Sequence, residues 1–288
     1  MMMLWQRLLA QRLGISFLCL SSNNLSSLSP SSNMRRTDLM RKLLKGIETG
    51  DPEAAAVVAE DRYVQHNPQT GDNADGLAAL FARISKTNPR VNVVRAFEDD
   101  SHKNGIVFGM TEYFFDKARV GFEVFRFDED DKAVEHWDNI QPRQGEGRSM
   151  VEGPTQATDL EKTEENRAKV TQFVSSVLIP QKLDAMSDYV AEDLVQRAPY
   201  LENGKNALLN YWKSGTVEYN TLHKVFAQGN FVLSICEGLR DGAPTSFYDL
   251  YRIEGGMLVE HWDTIEEIPS PDTWKNANGK LNFSSLSS

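Results

Sequence analysis

Two stretches of this chain are nearly identical: Glu-His-Trp-Asp-Asn-Ile-Gln at residues 135–141 recurs as Glu-His-Trp-Asp-Thr-Ile-Glu at residues 260–266. Two earlier segments match as well, Phe-Arg-Phe at 125–127 with Tyr-Arg-Ile at 251–253, and Tyr-Val-Gln-His-Asn-Pro at 63–68 with Leu-Val-Gln-Arg-Ala-Pro at 194–199. The offset is 125 residues at the His-Trp-Asp and 131 residues at the earlier glutamine, so a few loop residues separate two collinear copies. The repeat indicates one structural unit written twice.

Each copy predicts helices first and strands afterwards. In copy one, apolar residues at helical spacing predict helices at 38–48, at 52–60 and after 73–75. Alternating β-branched and aromatic residues then predict strands at 91–97, 106–115, 120–128 and 133–141. Copy two repeats this order, with helices near 161–178, 182–190 and 205–213 and strands near 219–227, 231–239, 245–253 and 257–266. The order predicts an α+β fold of two tandem modules, each with three helices and an antiparallel sheet, and excludes a doubly wound parallel sheet.

The first segment has the composition of a targeting sequence. No acidic residue precedes Asp38, whereas residues 1–36 contain four arginines and a serine-rich tract. We therefore expect residues 1–36 to be a transit peptide or disordered presequence, with mitochondrial import favoured and plastid or secretory targeting as alternatives. The longest apolar run, residues 13–20, is shorter than the roughly 20 residues that cross a bilayer, so no membrane partner is expected. The remaining predicted boundaries are 37–142 for module 1, 143–159 for a linker, 160–268 for module 2 and 269–288 for a tail.

Composition excludes several classes of function. The 288 residues include 41 acidic and 31 basic side chains, a formal charge of −10 that disfavours a nucleic-acid partner. Cys19 and Cys236 are too few for a disulfide framework or a structural zinc site. The sequence contains no nucleophile elbow, phosphate-binding glycine loop or dinucleotide fingerprint, so it gives no support to acyl hydrolysis or to nucleotide cofactors.

Strand alternation identifies candidate catalytic residues. His136 and Asp138 lie two apart and share one face of their predicted strand, whereas Trp137 and Gln141 share the other. Ionisable groups beside aliphatic neighbours have pKa values shifted toward neutrality, as proton transfer at pH 7 requires. We therefore expect Asp138 to remove a proton α to a carbonyl and His136 or His66 to hydrogen-bond the developing enolate oxygen.

The candidate substrate-binding residues are Tyr63, Asn67, Glu123 and Gln141. His66, His136 and Asp138 would also form a two-histidine, one-carboxylate metal set, but nothing in their spacing requires it, and neither a metal nor another cofactor is predicted. A structural interpretation competes with catalysis, in which His136 and Asp138 only close a polar network at the end of the sheet. The presence of His261 and Asp263 in copy two favours that interpretation.

The Tyr-x-Gln-His-Asn-Pro segment and the Phe-Arg-Phe and Glu-His-Trp-Asp hairpin resemble the SnoaL-like branch of the nuclear-transport-factor-2-like (NTF2-like) superfamily, in particular its aldol-condensation-catalysing or polyketide-cyclase-like group. The resemblance covers residues 38–142 and, more weakly, 160–268. It implies cone-shaped modules in which a bent sheet wraps a helix around one apolar pocket. Copy two has Leu194, Arg197 and Ala198 where copy one has Tyr63, His66 and Asn67, so module 2 is predicted to be degenerate.

The resemblance implies three functions. The first is a cofactor-independent acid/base enzyme of lyase, isomerase or cyclase type that acts on a small apolar carbonyl compound. The second is a non-catalytic protein that binds a hydrophobic ligand in the same pocket, and the third is a scaffold. The predicted partner is a small hydrophobic ligand. The two modules are expected to pair through their outer sheet faces as an intrachain pseudo-dimer, with further homo-oligomerisation left open.

Overall fold

The computed structural model describes residues 35–99, 101, 105–144 and 150–286, so the presequence prediction for residues 1–34 lies outside the described residues. Module 1 contains helices α1 (Arg36–Thr49), α2 (Pro52–Ala55) and α3 (Asn73–Ile84), and strands β1 (Val64–Gln65), β2 (Arg90–Asp99), β3 (Ile106–Phe114), β4 (Ala118–Phe127) and β5 (Ala133–Pro142). Module 2 contains helices α4 (Thr163–Phe173) and α5 (Lys205–Lys213), and strands β6 (Val190–Gln196), β7 (Val217–Gln228), β8 (Phe231–Arg240), β9 (Ala243–Glu254) and β10 (Met257–Glu267).

The two sheets have the same strand order, β1-β5-β4-β3-β2 and β6-β10-β9-β8-β7, which confirms the α+β prediction and the repeat of one unit. The sheets are mixed rather than wholly antiparallel, because β1 runs parallel to β5 and β6 runs parallel to β10. Four antiparallel strands follow one another through short turns, whereas β1 and β6 are separated from their partners by most of a module, as parallel pairing requires. These two strands are the ones that the sequence patterns did not predict.

Two predicted helices are shorter or of another type. The segment 52–60 forms only the single turn α2, because Val58 and Ala59 leave the helix to bridge Ala133 at the start of β5. The segment 182–190 forms a 3-10 helix at Leu183–Asp188, after which the chain enters β6. Helix α4 continues as a π-helical turn, Val174–Leu178. No helix among the described residues combines the length and the apolar character needed to cross a membrane.

Each sheet is buried on both faces. The inner faces pack against the helices of their own module, and the outer faces pack against each other. The core between the sheets includes Phe108, Phe122 and Trp137 from module 1 and Leu233, Tyr248 and Trp262 from module 2. Burial of large side chains at about 25 cal/mol per Å² makes such a core a major stabilising contact between the modules.

The segments flanking module 2 are packed rather than free. Met150 and Val151 from the predicted linker are buried in the core between the sheets, and Phe283 from the tail stacks on Trp137 with ring centroids 4.7 Å apart. At the other end, helix α1 begins at Arg36, whose guanidinium bonds the carboxylates of Glu98 and Asp131. Arg36 is therefore part of the folded module 1, one residue before the predicted boundary.

Candidate functional site

A cavity of about 540 Å³ lies in module 1 between the inner face of the sheet and helices α1 and α3. Its apolar wall includes six side chains from the two helices: Leu43, Leu44, Ile47, Leu77, Leu80 and Phe81. Five of the predicted site residues line it, namely Tyr63, Asn67, Glu123, His136 and Asp138. A cavity of this volume, mostly apolar with a few polar groups, is typical of small-molecule sites.

Asp138 lines this cavity and has one uncommitted carboxylate oxygen. The residue is only 5% exposed; Oδ2 accepts a hydrogen bond from Asn67 Nδ2 at 2.7 Å, and Oδ1 has no partner. Burial raises the pKa of Asp138 above its ordinary value; the positive charge at His136 opposes the rise and the negative charge at Glu123 adds to it. A buried carboxylate with raised pKa is suited to accepting a proton from a ligand.

His136 is held as a hydrogen-bond donor on both sides of its ring. Nδ1 lies 3.0 Å from Gln65 Oε1, and Nε2 lies 2.7 Å from Glu123 Oε2. Gln65 Oε1 also accepts from the backbone N–H of Asn67, which identifies it as oxygen and makes Nδ1 the donor. Both ring nitrogens therefore face acceptors, and a doubly protonated ring facing the Glu123 carboxylate satisfies both contacts.

Glu123 is fully engaged by protein groups. Its Oε1 accepts from Tyr113 OH at 2.8 Å, while Oε2 faces His136. Gly121 leaves room for this arrangement, since a Cβ there would lie 2.6 Å from Glu123 Oε1 and 2.8 Å from the Tyr113 ring. Burial and the neighbouring Glu123 carboxylate raise the pKa of Tyr113 well above its ordinary value, so the phenol stays a donor. Glu123 therefore acts as an anchor for His136 and Tyr113.

His66 does not line the cavity, contrary to the prediction that it would meet His136 and Asp138 there. Its Nδ1 lies 2.7 Å from the Gly279 carbonyl, its Nε2 lies 2.8 Å from Glu135 Oε1, and its ring stacks on Trp137 at 4.7 Å. Gln65 faces the cavity, and alternation along the extended chain turns the next residue, His66, to the opposite face.

Gln141 also lies outside the cavity, so its predicted contact with a substrate is corrected. Its Nε2 donates to the Asp263 carbonyl at 3.0 Å, and its Oε1 accepts from the Ile265 N–H. Gln141 thus joins β5 to β10 of the other module. The residue that takes its place at the cavity is Glu266, which the sequence patterns did not identify, although the repeat aligns it with Gln141.

Module 2 repeats the polar network without the space. His261 bonds Gln196 and Asp249, Tyr219 OH donates to Asp249 at 2.8 Å, and Tyr200 OH donates to Asp263. The corresponding cavity measures only about 20 Å³, roughly the room that one water molecule needs.

Aromatic side chains, among them Tyr200, Tyr211 and Trp212, line and fill this part of module 2. Burial raises the pKa of Asp263 to about 6. Burial alone would lower the pKa of His261, but Asp249 raises it above its ordinary value.

Two clusters have the side chains to hold a metal ion. Ligand atoms of Glu123, His136 and Asp138 lie within 4.8 Å of one another, as do those of Asp249, His261 and Asp263. In each cluster the imidazole already contacts a carboxylate through Nε2, at 2.7 Å in module 1 and 3.0 Å in module 2. Each imidazole therefore already uses that nitrogen in a hydrogen bond to a carboxylate, whereas Oδ1 of Asp138 and Oδ1 of Asp263 have no partner.

Comparison with family models and with curated proteins finds no match. Among solved structures, the chain resembles a candidate ketosteroid isomerase from Kribbella flavida DSM 17836 (15% identity, 38% of this chain and 84% of that chain, TM-score 0.34). It also resembles an NTF2-like protein of unknown function from Cytophaga hutchinsonii ATCC 33406 (22%, 40% and 95%, 0.32) and an LEH-like epoxide hydrolase from M. tuberculosis (18%, 36% and 85%, 0.31).

Proposed function

We propose that module 1 is a SnoaL-like, cofactor-independent acid/base enzyme of the NTF2-like superfamily, acting on a small apolar carbonyl compound as a lyase, isomerase or cyclase. The observation that carries the proposal is that Asp138 lines an apolar cavity of about 540 Å³ and that its Oδ1 is buried without a hydrogen-bond partner. An uncompensated buried oxygen is unfavourable by roughly 1–3 kcal/mol, so a ligand that donates a hydrogen bond to Oδ1 in this cavity would be bound favourably.

In this proposal Asp138 removes a proton from the carbon α to the carbonyl. Asn67 holds the other carboxylate oxygen and so fixes the direction of Oδ1. Proton transfer moves the negative charge from Asp138 to the enolate, beside the imidazole of His136, which Glu123 and Gln65 orient. Tyr63 contributes a neutral phenol to the lining, because burial and the Asp138 charge raise its pKa well above the ordinary value.

The apolar wall determines the kind of ligand. Leu43, Leu77, Leu80 and Phe81 exclude water from the body of a ligand, and the exclusion of water strengthens the electrostatic effect of the polar end. The core between the sheets supports treating the two modules as an intrachain pseudo-dimer in which module 2 stabilises module 1. The arginine-rich, acid-free residues 1–36 support mitochondria as the place of action.

Deuterium exchange on simple ketones tests this function. Straight-chain methyl ketones from 2-hexanone to 2-decanone are incubated with the protein in D₂O, and loss of the α-proton signal is followed by NMR. Asp138→Asn should lower the exchange rate by about 10²–10⁴-fold while the ketones still bind. Asp263→Asn, the equivalent change in the closed module, is the matched control and should leave the rate unchanged. Equal rates for the unmodified protein and Asp138→Asn, with binding retained, would refute the enzyme.

A non-catalytic ligand-binding function is the second candidate. It is favoured by the repetition of the His-carboxylate network in module 2, where only about 20 Å³ is open and no ligand fits. A network that is retained without a cavity has a structural role at least there. Binding of ketones without any exchange at the α carbon would identify this second function.

A further inference from the structure

Gln141 and Glu266 occupy equivalent positions in the two modules but bond their surroundings differently. Gln141 accepts from the Ile265 N–H through Oε1 and donates to the Asp263 carbonyl through Nε2. Glu266 makes the equivalent contact with module 1, accepting from the Ile140 N–H at 3.1 Å. A carboxylate, however, has no N–H group that could donate to the Asp138 carbonyl. A glutamine at 266 would complete the symmetric pattern, so the glutamate needs its own explanation.

Lys280 supplies the donor that Glu266 lacks. Its Nζ donates to the Asp138 carbonyl at 3.1 Å and to Glu266 Oε2 at 2.7 Å, and the side chain is almost fully buried. The chain around Lys280 is fixed in place, since His66 bonds the Gly279 carbonyl and Asn278 Nδ2 donates to the Gln65 carbonyl at 2.9 Å. Burying the Lys280 ammonium and the Glu266 carboxylate together requires both charges to be desolvated, whereas a glutamine amide at 266 would not. This cost indicates that the negative charge at Glu266 has a function.

The free oxygen of Glu266 belongs to the same cavity as that of Asp138. Glu266 lines the cavity, and both of its hydrogen bonds fall on Oε2, leaving Oε1 without a partner in the described part of the chain. Asp138 has the same division, with Oδ2 anchored and Oδ1 free. Two carboxylates from different modules thus each offer one oxygen to a single apolar cavity.

The electrostatic surroundings raise the pKa of both carboxylates above their ordinary values. Burial raises the pKa of Glu266; the nearby cation of Lys280 lowers it, and the negative charge of Asp138 raises it further. Repulsion between the two groups means that ionisation of one favours the protonated form of the other. A pair of this kind can hold a base and an acid in one site.

We propose that Glu266, contributed by module 2, is a second proton-transfer group in the cavity of module 1, so that the catalytic site is built from both modules. This inference rests on the proposed function of Asp138. Asp138 takes a proton from the carbon α to the carbonyl, and Glu266 delivers a different proton to another atom of the same ligand. The ligand loses one proton and gains one, and exchange of protons with water returns both carboxyl groups to their starting states. No oxidant, reductant or cofactor enters the balance.

Conversion of hex-4-en-2-one to hex-3-en-2-one separates the two steps. The C3–H bond breaks, the double bond moves from C4–C5 to C3–C4, and a C5–H bond forms. Exchange of the C3 protons with D₂O requires Asp138 alone, whereas conversion also requires proton delivery at C5. Glu266→Gln should lower the conversion rate by 10²-fold or more and leave the C3 exchange rate within about threefold. Glu267→Gln, an exposed neighbour on the same strand, is the matched control and should change neither rate.

The outcomes distinguish the two proposals. If the unmodified protein catalyses no exchange at C3, the proposed function fails; if exchange occurs and Glu266→Gln converts the ketone normally, only the role of Glu266 fails. An equal loss of exchange and conversion in Glu266→Gln would show that Glu266 only supports the fold. Glutamine at 266 can still accept from the Ile140 N–H, and thermal unfolding of the variant, together with its C3 exchange rate, shows that the protein is folded.

A titration without substrate gives an independent test. Carboxyl carbons of Asp138 and Glu266 are followed by ¹³C NMR between pH 3 and pH 9, with Glu123, His136 and Lys280 as the other charged groups facing Asp138. Glu266→Gln should lower the pKa of Asp138, and Asp138→Asn should lower the pKa of Glu266, because each change removes a negative charge. An Asp138 titration that is the same with and without the Glu266 carboxylate would overturn the paired site.

Discussion

Asp138 and Asp263 are equivalent aspartates, each with a buried Oδ1 that lacks a hydrogen-bond partner, yet their surroundings differ in open volume by more than tenfold. Asp138 lines about 540 Å³ and Asp263 about 20 Å³. Tyr200 reaches Asp263 in module 2, whereas Asn67 reaches Asp138 in module 1. The repeated polar network is therefore compatible with both an open and a closed pocket, and the bulk of the side chains above it determines which one forms.

The burial of Asp263 in module 2 predicts that ionisation of this residue lowers the free energy of unfolding. Its pKa is about 6 in the folded chain against an ordinary 3.8, so the folded state binds the proton more tightly and the free energy of unfolding falls as pH rises from about 4 to 6. Asp263→Asn removes this loss. Relative to the unmodified protein, the variant should gain about 2–3 kcal/mol of stability between pH 4 and pH 7 in urea unfolding. A stability difference that does not change with pH would contradict the burial effect.

The difference in open volume predicts that only module 1 binds an apolar ligand. Leu80→Trp fills the cavity from helix α3, whereas Leu209→Trp adds the same bulk to helix α5 of module 2. We expect Leu80→Trp to weaken the binding of the neutral fluorophore N-phenyl-1-naphthylamine by more than tenfold and Leu209→Trp to leave it unchanged. Fluorescence titration measures both, with thermal unfolding as the check on folding. Equal weakening by the two substitutions would place the dye elsewhere.

Much of the fold follows from patterns that local sequence carries. The eight long strands are rich in β-branched and aromatic residues between turn residues, and their predicted bounds differ from the observed ones by no more than a few residues, as for β8, predicted at 231–239 and observed at Phe231–Arg240. β1 was missed because a strand of two residues is too short to show alternation. β6 was missed because it contains Glu192 and Asp193, and acidic residues have low strand propensity. Only pairing with β5 and β10 stabilises them.

The sequence predicted the direction of only those site residues that lie together on one long strand. Alternation along β5 correctly put His136 and Asp138 on one face and Trp137 on the other. It did not decide the direction of His66, because the strand before it is too short to set the phase. Glu266 depends on contact between modules, which no local pattern encodes; its signal was the Gln-to-Glu difference at the end of the repeated stretch.

The placement of His66 predicts a structural role for that residue. Both ring nitrogens face acceptors, the Gly279 carbonyl and the Glu135 carboxylate, and the ring stacks on Trp137. His66→Asn should therefore lower the free energy of unfolding by about 2–3 kcal/mol, the scale of lost charged hydrogen bonds. It should leave ketone exchange within a few-fold, the opposite of Asp138→Asn. A large loss of ketone exchange in a folded His66→Asn protein would contradict the structural role and indicate that His66 takes part in catalysis.

Glu266 and Lys280 together replace the amide that Gln141 provides at the equivalent position. This relationship predicts that Glu266→Gln restores the stability lost in Lys280→Met. Lys280→Met leaves Glu266 without its cation and the Asp138 carbonyl without a donor, so we expect a loss of about 2–4 kcal/mol in the free energy of unfolding. Adding Glu266→Gln removes the unpaired charge and provides an amide that can donate to the Asp138 carbonyl, as Gln141 donates to that of Asp263. The double variant should recover most of the loss, with a coupling energy of at least about 2 kcal/mol in a double-mutant cycle measured by urea unfolding. Strictly additive losses would mean that Lys280 stabilises the fold through its alkyl chain alone, and that the carboxylate at 266 does not depend on the lysine.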